Sequence, residues 1–159
     1  MEYAVQSWRP WTETDKELLE KVQRRAIRMV SGLKGKTYED RLKELGLTTL
    51  EARRERGDMI EVYKILTGKE DVDPKAWFTL AQEGRRAAET RISTGFLNLV
   101  KPTMVKALKL RENFFSVRVV DPWNALPDVV KKAETVNTFK IRYDKFISGQ
   151  VINNKDEPT

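Results

Sequence analysis

Apolar residues recur at helical spacing near the start of the chain. Thr14 and Glu17 have the spacing of a capping box, and the pattern after them predicts an amphipathic helix as far as Gly32. At about 100° per residue, the apolar positions fall within an arc of about 120°. They are Leu18, Leu19, Val22, Ala26, Met29, Val30 and Leu33. We expect this face to be buried.

Two further helices are predicted to follow through short loops. The first begins after a cap at Thr37 and ends at Gly46, and the second extends from a capping box at Thr48 and Glu51 to Gly68. Each stop is a glycine, which adopts the left-handed conformation that ends many helices.

Charges of both signs are interleaved on the third predicted helix. Arg54 and Asp58 stand four residues apart there, which is the spacing of a helical ion pair. This interleaving is typical of a solvated face. The predicted core stripe of the same helix is Ala52, Met59, Val62, Tyr63 and Leu66.

The pattern is less regular after residue 70. Asp73 before Pro74 predicts the start of a short helix, and "GFLNLVKP" predicts a short strand near residues 96–100. Residues 111–122 fit either a helix broken by Pro122 or a strand through "FFSVRVV", and periodicity does not decide between the two.

A last amphipathic helix is predicted over "VNTFKIRYDKFI", with Thr135 or Asn137 as its cap. The predicted fold class is therefore mainly α, a single small helical domain with a short β element near residues 96–100. Its predicted parts are a helical N-terminal part (1–80), a polar loop (81–95), an aromatic-rich C-terminal part of the same domain (96–147) and a tail (148–159).

Charge adds a modest basic excess to this picture. The 159 residues carry a net charge of +6, from 30 basic and 24 acidic residues. Residues 1–80 hold 16 basic and 15 acidic residues, and residues 81–159 hold 14 and 9, so most of the excess lies in the second half. The sign favours polyanionic partners without proving them.

Several kinds of catalytic and metal chemistry have no candidates in the sequence. The chain has no histidine and no cysteine, so it lacks the usual general base, a thiol nucleophile and a thiolate zinc site. "KEDVDP" gathers three carboxylates, but a helix end followed by an Asp cap explains it. Glycine-rich phosphate loops are missing. We expect no cofactor, no metal and no catalysis by this chain.

Neither a signal peptide nor an apolar run of membrane-spanning length is present in the sequence. We therefore expect no membrane partner and an intracellular location, nuclear or cytoplasmic.

The densest basic stretch is "EKVQRRAIRMVSGLKGKT", residues 20–37. Glu17 and Glu20 precede Lys21 and Arg24 by four residues, so these two cations have predicted helical ion pairs. The remaining cations have no such partner. They are Arg25, Arg28, Lys34 and Lys36. This stretch is either a phosphate-binding surface or the solvated side of an ordinary helix.

Three stretches resemble a known family. They are "LLEKVQRRAIRMVSGLKGKTYEDRLKELGLTTLEARRERGDMIEVYKIL", "LKLRENFFSVRVVDPWNALPDVV" and "VNTFKIRYDKF". This sequence is similar to the C-terminal region, after the thumb, of the reverse transcriptase polyprotein of jockey-like non-LTR retrotransposons of the LINE type. The similarity covers the chain from Glu2 to about Phe146, and its most specific parts are Leu-Glu-Lys-Val-Gln-Arg-Arg-Ala and Trp-Asn-x-Leu-Pro.

The resemblance implies a non-catalytic accessory region that works close to RNA and DNA, because the polymerase and endonuclease acids of the family lie upstream of this region. It also implies the reverse transcriptase thumb as a protein partner. The residues that match the basic pattern of the family are Lys21, Arg24, Arg25 and Arg28. With Lys34 and Lys36 they form our candidate nucleic-acid site.

Two alternatives stay open at this point. The chain could be a helical structural or protein-interaction module without nucleic-acid binding, with Phe114, Phe115, Trp123, Phe139 and Phe146 as anchors or as core. An independent nuclease is the other, and the sequence offers no constellation of acids for it.

Overall fold

The structure, a computed structural model, describes residues 4–80, 98–100 and 109–152. In these ranges the chain is mainly helical, as predicted. The helical segments are α1 (Val5–Trp8), α2 (Glu13–Arg28), α3 (Tyr38–Glu44), α4 (Leu50–Leu66), α5 (Pro74–Trp77), α6 (Lys109–Glu112), α7 (Phe115–Arg118), α8 (Val120–Asn124), α9 (Asp128–Lys131) and α10 (Val136–Ile147). The two strands are β1 (Thr79–Leu80) and β2 (Leu99–Val100).

The chain forms two compact units, Met1–Gly57 and Asp58–Thr159. The division between them falls inside α4. The polar loop predicted at 81–95 lies outside the described residues. So do residues 96–97 of the predicted β element and residues 153–159 of the predicted tail.

Helix ends with a strong local signal are confirmed. Thr37, Asp73 and Thr135 each accept a hydrogen bond from a backbone N–H two or three residues further on, at 3.0 to 3.2 Å. Gly46 and Gly68 have φ values of +62° and +66°, which glycine adopts without the steric cost of a side chain. These ends depend only on neighbouring residues.

Two predicted caps and one predicted end are wrong. Thr12 rather than Thr14 caps α2, because Thr12 has an extended backbone and its hydroxyl accepts from the Asp15 N–H at 3.1 Å. Thr49 rather than Thr48 accepts at the start of α4. The first long helix also ends at Arg28, four residues before Gly32. Neither capping threonine has the Glu or Gln of a capping box three residues further on, since Asp15 follows Thr12 and Ala52 follows Thr49 at that spacing.

The first unit buries a different face of α2 from the one predicted. Leu18, Val22 and Met29 are 54%, 48% and 76% exposed, whereas Gln23 and Ile27 are buried. The predicted burial of this apolar arc is therefore wrong for most of its members. The helix is held by hydrogen-bonding groups of α3 and of the start of α4, so its buried row is partly polar. The buried apolar residues of this unit are Val5, Ile27, Leu33, Leu42 and Leu50.

The second unit has an aromatic core centred on Phe139. The Phe139 ring stacks on Tyr63 with 4.4 Å between centroids, and the rings of Trp123 and Tyr143 each lie at 6.0 Å. Of the predicted α4 stripe, Met59, Val62 and Tyr63 are buried and Leu66 is partly buried. Among the aromatic residues proposed as anchors or core, Phe115, Trp123 and Phe139 are buried and Phe114 is 59% exposed.

Residues 111–122 are helical where they have regular structure, so the strand alternative is wrong. Pro122 does not end a helix there. It is the third residue of α8, a position whose N–H has no partner in a helix, so a proline costs no hydrogen bond.

The segment Trp123–Pro127 holds the small sheet in place. Trp123 and Leu126 are buried, while the Asn124 side chain bonds both backbone groups of Leu99, accepting from N at 2.9 Å and donating to O at 2.8 Å. Strand β2 pairs antiparallel with β1, with Leu80 opposite Leu99. The β element predicted near 96–100 is present at its last two residues, and its partner β1 was not predicted.

A buried lysine supports the same strand. Lys131 is 2% exposed, and its Nζ donates to Asn98 Oδ1 at 3.0 Å and to the Asn124 carbonyl at 3.2 Å. Burial lowers the pKa of Lys131, and the nearby Asp128 carboxylate opposes that shift.

The face of α4 predicted to be solvated is partly buried. Arg54 and Asp58 are each 1% exposed. Within the first unit, the Arg54 guanidinium lies over the Trp8 ring, 5.9 Å from its centroid. Within the second, the Asp58 carboxylate accepts two hydrogen bonds from Arg118, both at 3.0 Å. This bidentate pair joins α4 to α7 across sixty residues of sequence.

Breaking the bidentate pair is expected to destabilise the second unit. Asp58→Asn should lower the free energy of unfolding by about 2–4 kcal/mol. The variant leaves the Arg118 guanidinium with one acceptor oxygen in place of two and with no negative charge beside it. Urea unfolding followed by circular dichroism measures this. Asp71→Asn, an exposed residue of the same unit, serves as the control and should change it by less than about 0.5 kcal/mol. Equal effects would contradict this role for Asp58.

Titration of Lys131 should make stability rise with pH below 10.5, the ordinary lysine value. The folded protein releases this proton at lower pH than the unfolded chain, so between the two pKa values the unfolded chain binds more protons and folding gains stability. In Lys131→Met this contribution is missing. We expect the difference in unfolding free energy, wild type minus variant, to increase between pH 8 and pH 10.5. A difference independent of pH would contradict the burial of a protonated amine.

Candidate nucleic-acid interface

Four basic residues in the second half of α2 are exposed and form no ion pair with a described residue. Lys21, Arg24, Arg25 and Arg28 are all solvent-exposed. No carboxylate in the described residues lies within ion-pair distance of any of these four. The predicted pairing of Lys21 and Arg24 with preceding glutamates is therefore wrong. For Arg24 the reason is that the Glu20 carboxylate has other partners.

Glu20 joins α2 to two other elements. Its carboxylate accepts a hydrogen bond from the Tyr38 hydroxyl at the start of α3, and another from the Leu50 backbone N–H at the start of α4, at 3.0 Å. A buried or half-buried carboxylate is stabilised most by such donors, so Glu20 is engaged before it can pair with Arg24. The same carboxylate satisfies one of the free N–H groups at the α4 N-terminus.

Gln23 extends this network by one helical turn. Its side-chain amide donates to the Tyr38 hydroxyl at 3.0 Å and to the Thr48 carbonyl at 3.1 Å, and its oxygen accepts from Arg53. The Tyr38 hydroxyl thus donates to Glu20 and accepts from Gln23. Burial and the hydrogen bond to Glu20 raise the pKa of Tyr38, so its hydroxyl stays protonated at neutral pH.

Fixing the Tyr38 hydroxyl also fixes its ring, and Arg24 lies over that ring. The Arg24 guanidinium carbon is 4.8 Å from the ring centroid, a cation–π distance. The charge of Arg24 is therefore held by an aromatic face and not by a carboxylate, which leaves its positive charge unneutralised.

The loop after α2 turns the chain back toward α3. Lys36 N donates to the Leu33 carbonyl at 3.4 Å across a four-residue turn whose third residue, Gly35, has φ +83°. Leu33 is buried and anchors the turn, and its carbonyl also accepts from Arg41 Nε at 3.1 Å. Beyond the turn, the Lys36 amine pairs with the Glu44 carboxylate.

These elements enclose a basic cleft in the first unit. Its volume is about 340 Å³. The residues that line it, here called the cleft residues, are Arg24, Arg28, Lys36, Thr37, Tyr38 and Arg41. Four of the six are cations. In the described part of the chain, the only carboxylate paired with any of these four is Glu44, on Lys36. The cleft is therefore suited to a ligand with negative charge.

The cleft gathers half of the predicted site. Arg24, Arg28 and Lys36 line it, whereas Lys21, Arg25 and Lys34 are exposed outside it. The predicted charge balance is wrong for three of these six residues: Lys36 has an acidic partner, and Lys21 and Arg24 have none in the described residues.

Sequence reasoning missed Tyr38 and Arg41. Both lie on α3, three residues apart, so they share one face of that helix. A usable signal was present, because the cap predicted at Thr37 places Tyr38 and Arg41 in the first turn directly after the basic loop. Nothing in the sequence links Tyr38 to Glu20.

Other site types have little support in the described ranges. Within residues 4–80, 98–100 and 109–152, no group of three or more acidic side chains could hold a metal ion. Two of the three carboxylates of "KEDVDP" serve local structure: Asp73 caps α5 and Glu70 lies 3.4 Å from the Lys64 amine. None of the helices in these same ranges combines the length and the apolar character that crossing a bilayer requires.

Comparison of the chain with protein-family models, with curated proteins and with solved structures finds no match.

Removing the charge of Glu20 is expected to loosen α3. Glu20→Gln replaces one of the two acceptor oxygens by an NH₂ donor, so either the Tyr38 hydroxyl or the Leu50 N–H loses its acceptor. The unfolding free energy should therefore fall by about 1–3 kcal/mol, and backbone amides of α3 should exchange hydrogen faster. Native-state hydrogen exchange measures this helix by helix. Glu17→Gln is the matched control, since Glu17 is exposed on the same helix and has no ion pair in the described residues. Equal exchange rates in the two variants would contradict the role of Glu20.

Proposed function

We propose that the chain is a non-catalytic C-terminal accessory region of a retrotransposon reverse transcriptase that binds template RNA or target DNA through phosphate contacts. The observation that supports this most is the basic cleft, where Arg24, Arg28 and Arg41 have no acidic partner among the described residues. The resemblance to the jockey-like family supplies the biological setting.

Arginine side chains suit this function for a chemical reason. The guanidinium is planar, always charged and able to donate two parallel hydrogen bonds to a phosphate. Three guanidiniums and one ammonium line a single cleft, and on binding these cations replace counterions that are condensed on the nucleic-acid phosphates. Contacts of this kind are made to the backbone of the nucleic acid, so we expect little sequence preference.

The remaining predicted site residues extend the same surface. Lys21 and Arg25 are exposed on α2 next to the cleft residues of that helix, and Lys34 is exposed in the adjoining loop. In this proposal they contact phosphates on either side of the cleft. The polymerase chemistry and the thumb contact belong to the parent polyprotein, and the intracellular location, nuclear or cytoplasmic, follows from its RNA template and chromosomal target.

Neutralising two cleft cations should weaken binding and flatten its salt dependence. For Arg28→Gln with Lys36→Gln, the slope of log Kd against log salt concentration should fall by about 1.4 to 1.8, because each lost phosphate contact removes about 0.7 for a single strand or about 0.9 for a duplex. Fluorescence anisotropy with labelled RNA and DNA across a salt series measures the slope.

The control for this experiment has the same loss of charge elsewhere. Lys69→Gln with Lys75→Gln changes two exposed lysines of the second unit and should leave the slope within about 0.3 of the wild-type value. Equal slopes for the two double variants would contradict the placement of the site. No binding of either RNA or DNA by the wild type would contradict the proposed function itself.

One observation favours a second candidate, a helical module that contacts protein. The exposed residues Leu18, Val22 and Met29 form an apolar row along α2, which a partner such as the reverse transcriptase thumb could cover. Absence of nucleic-acid binding in the experiment above would favour this module over the basic cleft.

A further inference from the structure

The cleft carries a feature that phosphate binding alone does not need. Arg24 lies over the face of Tyr38, and both residues line the cleft. Unpaired bases stack on aromatic rings and on guanidinium planes, whereas bases inside a duplex have both faces covered by their neighbours. The stacked pair therefore offers a surface to a base and not to a sugar–phosphate backbone.

The Tyr38 ring of this pair is held in place by hydrogen bonds to its hydroxyl. The Tyr38 hydroxyl is fixed by Glu20 on one side and by Gln23 on the other. Arg24 has no carboxylate partner among the described residues that would draw its guanidinium away from the ring. A platform that is already in place loses little conformational freedom when a base stacks on it.

The remaining cleft residues provide charge around this platform. Arg28 has no ion pair in the described part of the chain, and Arg41 is anchored through Nε to the Leu33 carbonyl. The pair between Lys36 and Glu44 is exposed at both ends, with side chains 41% and 48% accessible, and such pairs exchange partners readily. Lys36 can therefore leave Glu44 for a phosphate.

The size of the cleft limits what it can admit. A volume of about 340 Å³ is at the lower end of small-molecule sites, enough for about one nucleotide. A double helix can lie over such an opening and reach it with a phosphate, but it cannot insert a paired base.

We propose that the cleft is a single-nucleotide site that selects single-stranded RNA or DNA over duplex. An unpaired base stacks on Arg24 and Tyr38, and its flanking phosphates contact Arg28, Lys36 and Arg41. This inference rests on the proposed function and adds its substrate class: the unpaired strand.

Two charge-conserving variants test the inference on the full chain. Arg24→Lys keeps the charge and removes the planar stacking group inside the cleft. Arg111→Lys makes the same change at an exposed arginine of the second unit, outside the cleft residues and outside the candidate site. The probes are labelled oligo(U) and oligo(dT) of about twelve nucleotides, within the range that single-strand modules cover, and a hairpin duplex of similar length.

We expect the wild type to bind at least one of the single strands more tightly than the duplex. Arg24→Lys should weaken that single-strand binding about fivefold or more while leaving duplex affinity within about twofold, and Arg111→Lys should leave both unchanged within about twofold. Circular dichroism of each variant checks that the helical content is unchanged.

The outcomes that overturn the inference differ from the one that overturns the proposed function. Equal affinity for single strand and duplex, with the two lysine variants behaving alike, removes the nucleotide site and leaves phosphate binding intact. If uridine monophosphate competes as effectively as oligo(U), the cleft is a site for free nucleotides, and this result also contradicts the inference. Failure of every probe to bind rejects the proposed function.

Discussion

Two elements of the first unit are held to α2 by one carboxylate. Glu20 accepts from the Tyr38 hydroxyl and from the Leu50 backbone N–H, so it fixes the first residues of α3 and of α4 against the same point of α2. Hydrogen bonds are directional, unlike apolar contacts, and they therefore set the rotation of α2 about its own axis. With Glu20 and Gln23 turned inward, the row that contains Arg24 and Arg28 faces the cleft and the apolar row of Leu18, Val22 and Met29 is exposed. The position of the basic cleft follows from this rotation.

The elements that local chemistry determines were predictable from the sequence. Thr37, Asp73 and Thr135 cap helices because each has a free backbone N–H within reach of its own side chain, and Gly46 and Gly68 end helices through positive φ. Pairing between distant segments was not predictable in this way. Strand β1 pairs with residues nineteen and twenty-one positions further along the chain, and the sequence "FTL" contains no pattern that predicts this pairing. The prediction of the buried face of α2 is wrong for a related reason. Hydrophobic periodicity predicts which face of a helix is apolar, but it does not predict which polar or apolar groups of the neighbouring segments contact that helix.

The candidate site shows the same limit at the level of single residues. The cations of α2 are visible in the sequence as a run of charge, and two of them, Arg24 and Arg28, line the cleft. Which cations have an acidic partner was not predictable, because a rule based on residues three or four apart considers one helix by itself. That rule pairs Glu20 with Arg24, whereas in the folded chain Glu20 has two donors from other elements. The rule also leaves Lys36 unpaired, because its partner Glu44 is eight residues further along, at the last residue of α3.

The Asn124 side chain occupies the hydrogen-bonding groups on one edge of the small sheet. The two backbone groups of Leu99 that point away from β1 would otherwise form an open edge, the kind of edge on which another extended segment adds by hydrogen bonding. The Asn124 amide supplies one donor and one acceptor, the same pair of groups that an incoming strand would bring. A side chain of the Trp-Asn-x-Leu-Pro segment thus acts as a one-residue strand mimic, and β2 cannot recruit a further strand at Leu99 unless Asn124 is displaced.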